Sequence, residues 1–402
     1  MAKNTNLGAA KLGKNDEFYT QYADIEAEMN AYVEFNPDVF RGKTILCPCD
    51  DPEWSNFTRY FVANFTKFGL KKLISTSYAR GAGNKTLTLF EMNSPHFDES
   101  KHEAKGRLYT LTSDQNGDDK VDSDDLVWDY LEGDGDFRSM EVTRLRDEAD
   151  FVITNPPFSL FREFIDWIID GKRGFSIIGN VNAITYKEVF RFLRDGLFWL
   201  GDSIHSGDRK FNVPDDYPLE AAGCGIDSNG KKYIQVKGVR WYTNIDFKER
   251  HTLLELDTMS NNLKFNKTLR KKLEKEYGCD SYPRYDNYDA IEVPFTECIP
   301  SDYDGVMGVP ITFLDKYCPE QFNIIDITKT GAGDPTTKTK EYPRQTQVDK
   351  NGTHSSVTKL NDGANIKIES PPIGKTYYIV DDAIYIQVYP RILIRPKKGD
   401  RQ

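Results

Sequence analysis

The residues that decide the fold are Phe151-Val152-Ile153-Thr154-Asn155-Pro156-Pro157-Phe158. The first four form a short apolar run rich in β-branched residues, which predicts a buried strand. The apolar residues that follow recur at helical spacing, in a helix that Ser159 can cap and Gly171 can end. They are Leu160, Phe161, Phe164, Ile165, Ile168 and Ile169. A strand, a turn and a helix in this order predict an α/β fold with a parallel sheet.

The turn itself carries groups that could hold an amine. Ligands of an open α/β sheet bind at the carboxyl ends of its strands, and Pro156 and Pro157 fix the backbone there. The Asn155 side-chain oxygen and the Pro156 carbonyl could accept both hydrogens of an amine such as adenine N6. Phe158 could stack on the base, a contact worth roughly 1–3 kcal/mol. A rigid structural turn is the simpler interpretation of two prolines alone, but the flanking Asn155 and Phe158 favour the functional one.

The strand-and-helix pattern recurs along the first 200 residues. Residues 44–49, 73–76 and 175–181 are predicted to form further buried strands. The helix after the first of them has one apolar face that ends at Gly69. This face consists of Trp54, Phe57, Phe61, Phe65 and Phe68. Farther along, Thr185 and Glu188 have the spacing of a capping box, and we expect that helix to close at Gly196.

A polar loop closes the first predicted strand. It reads Cys47-Pro48-Cys49-Asp50-Asp51-Pro52. Its carboxylates could receive the cationic amino group of a cofactor that carries an amino acid, although simple helix capping is the general role of Asp before a helix. The loop has no glycine and is a poor match to the dinucleotide fingerprint. Cys47 and Cys49 are predicted to be thiols and not metal ligands, because no second pair lies at zinc-ligand spacing.

A third polar turn precedes the strand 151–154. It reads Gly133-Asp134-Gly135-Asp136-Phe137. Asp136 could accept a hydrogen bond from an adenine amine while Phe137 packs on the ring. The alternative is an ordinary polar turn, and the pattern alone does not decide between the two.

The periodicity changes after Gly201. Residues 233–236 and 239–242 are predicted to be strands of hairpins, and residues 253–277 to be largely helical. Residues 331–361 are rich in Thr, Lys, Asp, Gly and Pro, which predicts a mobile loop or an insertion. Residues 377–394 return to the composition of strands. A chain of 402 residues is long enough for two domains.

The net charge of −10 is local and does not exclude a nucleic-acid partner. Residues 95–150 hold 17 acidic and 7 basic residues, whereas residues 229–276 hold 12 basic and 6 acidic ones. Such a basic stretch can bind DNA, although a solvated helix face explains it equally well. The candidates for contact with DNA are Lys231, Lys232, Lys237, Arg240, Trp241, Lys271 and Lys272. Trp241, Tyr242, Tyr282 and Tyr285 could pack against bases, and a core position is the alternative for each.

A calcium-loop pattern lies inside the acidic segment. Its oxygen-bearing residues are Asp114, Asn116, Asp118, Asp122 and Asp125. Position 6 of such a loop favours glycine, but here it is Asp119, which could adopt a left-handed conformation at some cost. Position 12 is Asp125, which is shorter than the usual glutamate. We therefore predict a solvated acidic insertion and no metal site, with calcium as the alternative.

The composition also restricts location and redox state. The N-terminal residues are polar and lack the pattern of a secretory signal, and no apolar run reaches membrane-spanning length. The six cysteines are few for the length of the chain. We therefore expect a cytoplasmic protein with reduced thiols and no membrane contact.

Several of these motifs, taken in order, resemble the EcoRI-type adenine-specific DNA methyltransferases. The matching segments are Asp16-Glu17-Phe18-Tyr19-Thr20-Gln21, Cys49-Asp50-Asp51-Pro52 with Ser55, Gly135-Asp136-Phe137, Asn155-Pro156-Pro157-Phe158, and residues 239–244, 282–289 and 305–314. The resemblance covers residues 15–322, and residues 328–369 match no part of the family pattern. Two features depart from most methyltransferases. The first motif is not rich in glycine, and the strand 73–76 lacks the terminal acidic residue that usually binds the ribose of the cofactor.

The resemblance implies a fold, a cofactor and site residues. The fold would be a seven-stranded, mostly parallel sheet that binds S-adenosylmethionine, with a C-terminal α+β target-recognition region. The catalytic domain would span residues 1–250 and the DNA-binding region residues 251–402, with a variable loop near 328–369. The cofactor would contact Phe18, Tyr19, Thr20, Cys49, Asp50, Asp51, Asp136 and Phe137. The substrate base would be held by Asn155, Pro156, Pro157 and Phe158.

The implied activity is methylation of adenine N6 in double-stranded DNA, within a restriction-modification system that could include a cognate endonuclease. Such a pocket cannot reach a stacked base, so the target nucleotide must flip out at a cost of a few kcal/mol. The alternative enzymatic activity is methylation of another amine, such as that of an RNA adenine, cytosine N4 or a protein glutamine. A non-catalytic DNA-binding relative is the alternative that is not an enzyme. We expect a monomer.

Overall fold

The computed structural model describes residues 18–52, 55–79, 97–102, 104–213, 217, 219 and 223–397. The chain divides into two compact units. Unit one comprises Met1–Ala183 and Phe198–Lys248, and unit two comprises Ile184–Leu197 and Glu249–Gln402. Asp16, Glu17 and Trp54, which appear in the predicted motifs, lie outside the described residues.

Unit one contains a large sheet, a small sheet and the helices that connect their strands. Its strands are β1 (Tyr19–Thr20), β2 (Thr44–Cys47), β3 (Lys72–Ser77), β4 (Arg107–Leu111), β5 (Val127–Tyr130), β6 (Phe151–Thr154), β7 (Gly174–Asn180), β8 (Trp199–Leu200), β9 (Asp208–Asn212), β10 (Cys224–Ile226), β11 (Lys232–Lys237) and β12 (Val239–Thr243). Its helices are α1 (Tyr22–Phe35), α2 (Asn56–Ala63), α3 (Phe65–Phe68), α4 (Glu99–His102), α5 (Met140–Glu148) and α6 (Phe161–Gly171).

The large sheet has eight strands in the order β5-β4-β3-β2-β6-β7-β12-β8 among the described residues. Its four middle strands, β3, β2, β6 and β7, run parallel, and every other pairing is antiparallel. The predicted α/β class is confirmed. The sheet differs from the predicted one, because it has eight strands in the described part of the chain and only three of their pairings are parallel. Periodicity identifies buried strands, whereas the direction in which a strand joins a sheet edge depends on tertiary contacts.

Strand β11 forms an antiparallel hairpin with β10, as predicted, whereas β12, which follows β11 directly, does not pair with it. β11 belongs to the small antiparallel sheet, of order β1-β9-β11-β10, whereas β12 pairs with β7 in the large sheet. Gly238, with φ +71°, separates the two strands. The left-handed residue turns the chain from one sheet to the other, a route that strand composition does not reveal.

Helix ends agree with the sequence where glycine defines them. Gly69 (φ +62°) and Gly196 (φ +72°) follow helices as predicted. The predicted Ser159 cap is wrong, because a 3₁₀ turn over Phe158–Leu160 precedes α6 and no side chain caps it. The capping box of Thr185 is also wrong, since the helix Lys187–Arg194 starts after Tyr186 without a side-chain cap.

Gly171 is the last residue of α6, and Lys172 adopts the left-handed conformation that ends it. A Cβ atom on Gly171 would lie 2.5 Å from Nε of Arg146. Gly171 is therefore required because the Arg146 side chain packs directly against it, whereas the left-handed Lys172 ends the helix.

Unit two contains, among its described residues, two further sheets and three short helices. Its strands are β13 (Ile291–Glu292), β14 (Met307–Pro310), β15 (Phe322–Ile327), β16 (Gln345–Val348), β17 (His354–Val357), β18 (Asn365–Ile368), β19 (Tyr377–Val380), β20 (Ala383–Gln387) and β21 (Arg391–Pro396). Its helices are α7 (Lys187–Arg194), α8 (Met259–Phe265) and α9 (Lys267–Lys272), with a π-helical turn over Leu273–Tyr277. The sheet orders are β13-β14-β21-β15 and β17-β16-β19-β20-β18.

The predicted loop over residues 331–361 is wrong in its second half, where β16 and β17 form. The buried Gln345 side chain donates to Tyr342 O at 2.8 Å and accepts from Leu360 N at 2.8 Å. Polar side chains thus take the place of the apolar residues by which a strand is recognised. The helical prediction for residues 253–277 is confirmed only after Thr258, whose side chain caps α8.

Among the described residues, no helix combines the length and apolar character needed to cross a membrane.

Candidate active site

The polar turn after β6 lies at the carboxyl edge of the parallel strands. Thr154 Oγ1 donates to the carbonyl of Pro48, which joins this edge of β6 to the loop after β2. Asn155 Nδ2 donates to the carbonyl of Phe18. Asn155 Oδ1 is buried and has no hydrogen-bond partner in the described part of the chain. The amide is therefore oriented by its nitrogen, and its oxygen keeps an unused acceptor in a position where burial makes an unused acceptor costly.

Phe158 belongs to an aromatic cluster that covers the turn. Its ring centroid lies 5.6 Å from that of Phe18 and 6.1 Å from that of Phe211. Phe18 also contacts Tyr217, at 6.4 Å. Phe158 is half-buried, so part of its ring remains accessible to an aromatic ligand.

Strand β1 brings the predicted cofactor residues Phe18, Tyr19 and Thr20 to this edge. β1 pairs with β9, with Thr20 opposite Phe211. The Asn56 side chain at the start of α2 donates to Thr20 O at 2.7 Å. Thr20 Oγ1 is buried without a partner among the described residues.

Asp50 uses its carboxylate to hold the loop that follows β2. It accepts hydrogen bonds from the Ser55 hydroxyl and, at 3.0 and 2.6 Å, from the backbone and hydroxyl of Thr58. Burial raises the Asp50 pKa to about 7, although the bonds from Thr58 oppose that rise. Asp50 thus holds the first turn of α2, whose N-cap residue is Ser55.

Asp51 lies beside a buried arginine. Its Oδ2 is 4.0 Å from Nη1 of Arg107, a residue of β4 that is 1% exposed. Cys49, next to them, has a left-handed φ of 61°. Burial raises the Cys49 pKa to about 12, with smaller contributions from Asp136 and Asp50. This thiol therefore stays protonated at neutral pH.

The loop before α5 places Asp136 at this edge and Phe137 in the core. Asp136 accepts from Arg138 N, Nε and Nη2, with Nη2 at 2.6 Å, and these bonds lower its pKa despite partial burial. Phe137 is 2% exposed and packs on Phe164, at 4.8 Å, and on Trp167, at 5.5 Å. In the structure Phe137 supports α6.

The same loop presses against the end of β3. Gly135 has φ +83°, and a Cβ atom there would lie 2.4 Å from Ser77 O. Ala79 N donates to Asp134 O at 2.7 Å. Only glycine permits this approach, which explains the Gly-Asp-Phe pattern more directly than ligand contact does.

Sequence reasoning missed the hydroxyl groups at the end of β3. Thr76 Oγ1 and Ser77 Oγ are buried without partners among the described residues. The expected feature of this strand end was an acidic residue, which the sequence lacks. These hydroxyl groups could have been identified only from their position, because ligands of an open α/β sheet bind at the carboxyl ends of its parallel strands.

Two of the seven predicted DNA-binding residues are buried. Trp241 is fully buried and packs on Phe57 at 5.9 Å, and Arg240, 4% exposed, donates to Val239 O at 2.8 Å. Neither is placed to contact DNA, because strand composition does not tell which basic and aromatic residues face inward. Tyr242, Tyr282 and Tyr285 are also buried.

The lysines of that prediction are divided between the units. Lys231 and Lys237 are exposed in unit one, where Lys232 donates to Tyr217 O at 3.0 Å. Lys271 is exposed in unit two, and Lys272 pairs with Glu276 at 2.5 Å. The basic stretch 229–276 therefore contributes residues to both units.

The calcium alternative finds no support among the described residues. They contain no group of three or more His, Cys, Asp or Glu side chains arranged to hold a metal ion. Asp114 accepts from Gly117 N and Asp119 N, and Asp125 accepts from Gln115 N and Asp122 N. Both carboxylates thus accept hydrogen bonds from backbone amides of their own loop. Asp119 is left-handed, at φ 62°, as expected for that position.

The chain is similar to known proteins over most of its length. The family described as adenine-specific methyltransferase EcoRI matches residues 6–397. Type II methyltransferase M.EcoRI of Escherichia coli is 44% identical over 328 residues, which cover 82% of this chain and 90% of that protein. Type II methyltransferase M.MgeORF184P of Mycoplasma genitalium is 32% identical over 86% of this chain and 93% of its own length.

M.MpnI of Mycoplasma pneumoniae, also a type II methyltransferase, is 31% identical over 83% of this chain and 90% of its own length. No solved structure gives a significant match. The family pattern spans the polar turn after β6, the loop after β2 and both units. The chain therefore belongs to the EcoRI family of adenine-specific methyltransferases.

Proposed function

We propose that this protein transfers a methyl group from S-adenosylmethionine to N6 of an adenine flipped out of duplex DNA. Family membership and the type II methyltransferases among its relatives support this proposal. In this proposal it modifies the DNA of a restriction-modification system, as a cytoplasmic monomer, and a cognate endonuclease cuts the same unmodified site. Unit one is the catalytic body, and unit two recognises the target.

The observation that carries the proposal is the unpartnered Oδ1 of Asn155. Its amide nitrogen is bound to Phe18 O, so the acceptor cannot turn away without breaking that bond. Oδ1 and the Pro156 carbonyl accept the two hydrogens of the adenine amine and draw its nitrogen toward tetrahedral geometry. The lone pair of that nitrogen is then free to attack, and no strong base is needed because the proton leaves after transfer.

Base flipping costs a few kcal/mol, and Phe158 offsets part of this cost. Stacking on an aromatic ring contributes roughly 1–3 kcal/mol. The half-buried ring is held by Phe18 and Phe211, so little side-chain entropy is lost when a base packs on it.

The strand edge also fits S-adenosylmethionine, which supplies an electrophilic methyl group on a sulfonium. Buried hydroxyls of Thr20, Thr76 and Ser77 lack partners among the described residues and can bind the polar groups of such a ligand. In this proposal Phe18, Tyr19 and Thr20 line its methionine end. The Ser77 hydroxyl would bind its ribose in place of the missing acidic residue.

The remaining cofactor residues act mainly by shaping the site. Asp50 fixes the loop after β2 through Ser55 and Thr58. Asp51 and Cys49 of the same loop would bind the amino-acid group of the cofactor. Asp136 stands at the adenine end, and Phe137 holds the loop beneath it through its contact with Phe164.

The test is labelling with tritiated S-adenosylmethionine. The protein is incubated in parallel with mixed-sequence duplex DNA, single-stranded DNA, RNA and a glutamine-rich protein, and the nucleic acids are digested to nucleosides. We expect label in N6-methyladenine of duplex DNA alone. Label in cytosine, RNA or protein would overturn the substrate assignment. Binding of DNA without any transfer would identify a non-catalytic relative.

A further inference from the structure

A cavity of about 490 Å³ lies wholly within unit two, between α7 and the loop over residues 329–338. We call it the basic cavity. Five of its lining residues are cationic, and one is a carboxylate, Asp334. The cationic residues are Lys187, Arg191, Arg194, Lys329 and Lys338. This accumulation contrasts with a chain whose net charge is −10.

The cations of α7 share one face of the helix. Lys187, Arg191 and Arg194 have the i, i+4, i+7 spacing that aligns side chains along a helix. Arg191 lies 3.8 Å and Arg194 3.1 Å from Asp195, and both belong to the lining. One carboxylate thus faces two guanidinium groups, and the face keeps a net positive charge.

None of the three lysines of the basic cavity has a carboxylate partner among the described residues, and Lys338 donates to Thr330 Oγ1 and to the carbonyl of Asn361. Neither Lys187 nor Lys329 forms an ion pair with any described residue, and Lys187 is exposed while Lys329 is partly exposed. A solvent-accessible lysine without an anion carries a charge that a ligand can neutralise at little cost in broken contacts.

The loop that closes the basic cavity is held in shape before any ligand binds. The buried Asp326 carboxylate accepts from Asp334 N at 3.0 Å and from Thr337 Oγ1 at 2.5 Å. A Cβ atom on Gly333 would lie 2.3 Å from Ile327 O, so glycine is required there. Lys338 Nζ donates to Thr330 Oγ1 at 3.0 Å. A preformed loop loses little conformational entropy on binding.

The wall beneath the cations is apolar. Phe190, Ile327, Tyr288 and Ala332 line it and are buried. A sugar–phosphate chain matches this arrangement, because its deoxyribose can pack on the apolar wall while its phosphates meet the cations. Salt-sensitive binding through lysine and arginine is typical of such contacts.

We propose that the basic cavity binds the sugar–phosphate backbone of duplex DNA without reading its bases. This inference rests on the proposed function, in which duplex DNA is the substrate. It assigns DNA contact to residues of α7 and of the loop 329–338, outside the basic stretch 229–276 from which sequence reasoning selected its candidates.

The test is the double variant Lys187→Gln/Lys329→Gln. Its affinity for fluorescent duplexes is measured by anisotropy at several salt concentrations, with one duplex that contains the methylated site and one that lacks it. We expect roughly tenfold weaker binding to both duplexes. The logarithm of the association constant decreases linearly with the logarithm of the salt concentration. The variant should make this slope less steep by roughly 0.9 for each phosphate that it no longer neutralises.

The matched control is Lys350→Gln/Lys359→Gln, which removes two exposed lysines of unit two that do not line the basic cavity. Its affinity and salt slope should stay near those of the wild type. Equal losses in both double variants would show a general charge effect and overturn the proposal. So would an unchanged slope, a loss confined to the duplex with the methylated site, or tighter binding of an RNA duplex.

Folding and the proposed function are checked separately. The double variant should keep the wild-type melting temperature and affinity for S-adenosylhomocysteine, because both lysines are accessible to solvent and lie in unit two. If the wild type labels duplex DNA and the double variant binds like the wild type, only the basic cavity is refuted. If the wild type labels no DNA, the proposed function fails first.

Discussion

The buried polar groups at the carboxyl edge of unit one differ from the buried Glu292 carboxylate in unit two. At the edge, Asn155 Oδ1 and Ser77 Oγ are buried without partners among the described residues. In unit two, Glu292 is fully buried, and its carboxylate accepts from Arg391 Nη2 at 2.7 Å, from Tyr277 at 3.1 Å and from Tyr285. The first arrangement keeps hydrogen-bonding capacity for a ligand, whereas the second uses all of it to hold the fold.

Accessible charge shows the same contrast within unit two. Lys187 and Lys329 in the basic cavity lack ion pairs with the described residues, whereas Glu320 on the surface pairs with His251 at 2.9 Å. Groups that lack partners are therefore the ones to test for function, and groups that have them are the ones to test for stability. Four variants can break or sharpen this division.

Removing the Glu292 charge should have the largest effect. Glu292→Gln leaves the Arg391 guanidinium buried without a counter-charge, and loss of one partner of a buried ion pair costs about 3–5 kcal/mol. We expect this decrease in the free energy of unfolding by urea denaturation, followed by a signal from unit two. The exposed Glu297→Gln serves as the control and should change stability by less than about 0.5 kcal/mol.

Asn155→Ala should abolish most activity without unfolding the protein. Loss of one preorganised hydrogen-bonding group in an active site lowers kcat by about 10²–10³-fold. We expect this loss in labelling of duplex DNA, with binding of S-adenosylhomocysteine near the wild-type level. Asn351→Ala, which alters an exposed turn asparagine, provides the control. Full activity of Asn155→Ala would remove this residue from the mechanism.

Phe158→Leu should weaken the hold on the flipped base. The loss of stacking is worth roughly 1–3 kcal/mol and should raise KM for DNA more than it lowers melting temperature. Fluorescence of 2-aminopurine at the methylated adenine would report the flipped population. Phe211→Leu alters a buried member of the same cluster and should do the reverse, so equal behaviour of the two variants would mean that Phe158 is structural.

Glu320→Gln should have the smallest effect. Burial raises the pKa of Glu320, but the hydrogen bonds from Cys318 and His251 have the larger effect and lower this pKa to about 2. A folded-state pKa below the ordinary 4.5 contributes stability above pH 4.5, and this contribution disappears as pH falls toward 2. For an exposed pair we expect a cost of about 0.2–1 kcal/mol at pH 7 and none near pH 2, measured by urea denaturation. A larger cost would mean that this surface pair holds the fold as the buried Glu292 does.

The strand and turn of the candidate site were predictable because their signals are local. Residues 151–154 form the strand that their short apolar run predicted, and Gly69 and Gly196 end helices as predicted. These features depend on backbone preferences and on periodicity within a few residues. Family resemblance then supplied the activity, which the comparisons support.

The basic stretch shows where such reasoning fails. Lys232, Arg240 and Trp241 looked alike as DNA-binding candidates, but the last two lie in the interior. The basic cavity was not predicted, because α7 and the loop 329–338 are separated by more than 130 residues in the chain. Contacts between distant segments leave no periodic signal.

By itself, the sequence determined the α/β class, the position of the polar turn at a strand end and the family of the protein. The tertiary structure decided that Asp50 and Phe137 support the site from within, that β11 and β12 enter different sheets, and that Asn155 retains an unused acceptor. The physical reason is that backbone preference acts between neighbours in the chain. Whether a buried polar atom finds a partner depends on which distant segments fold around it.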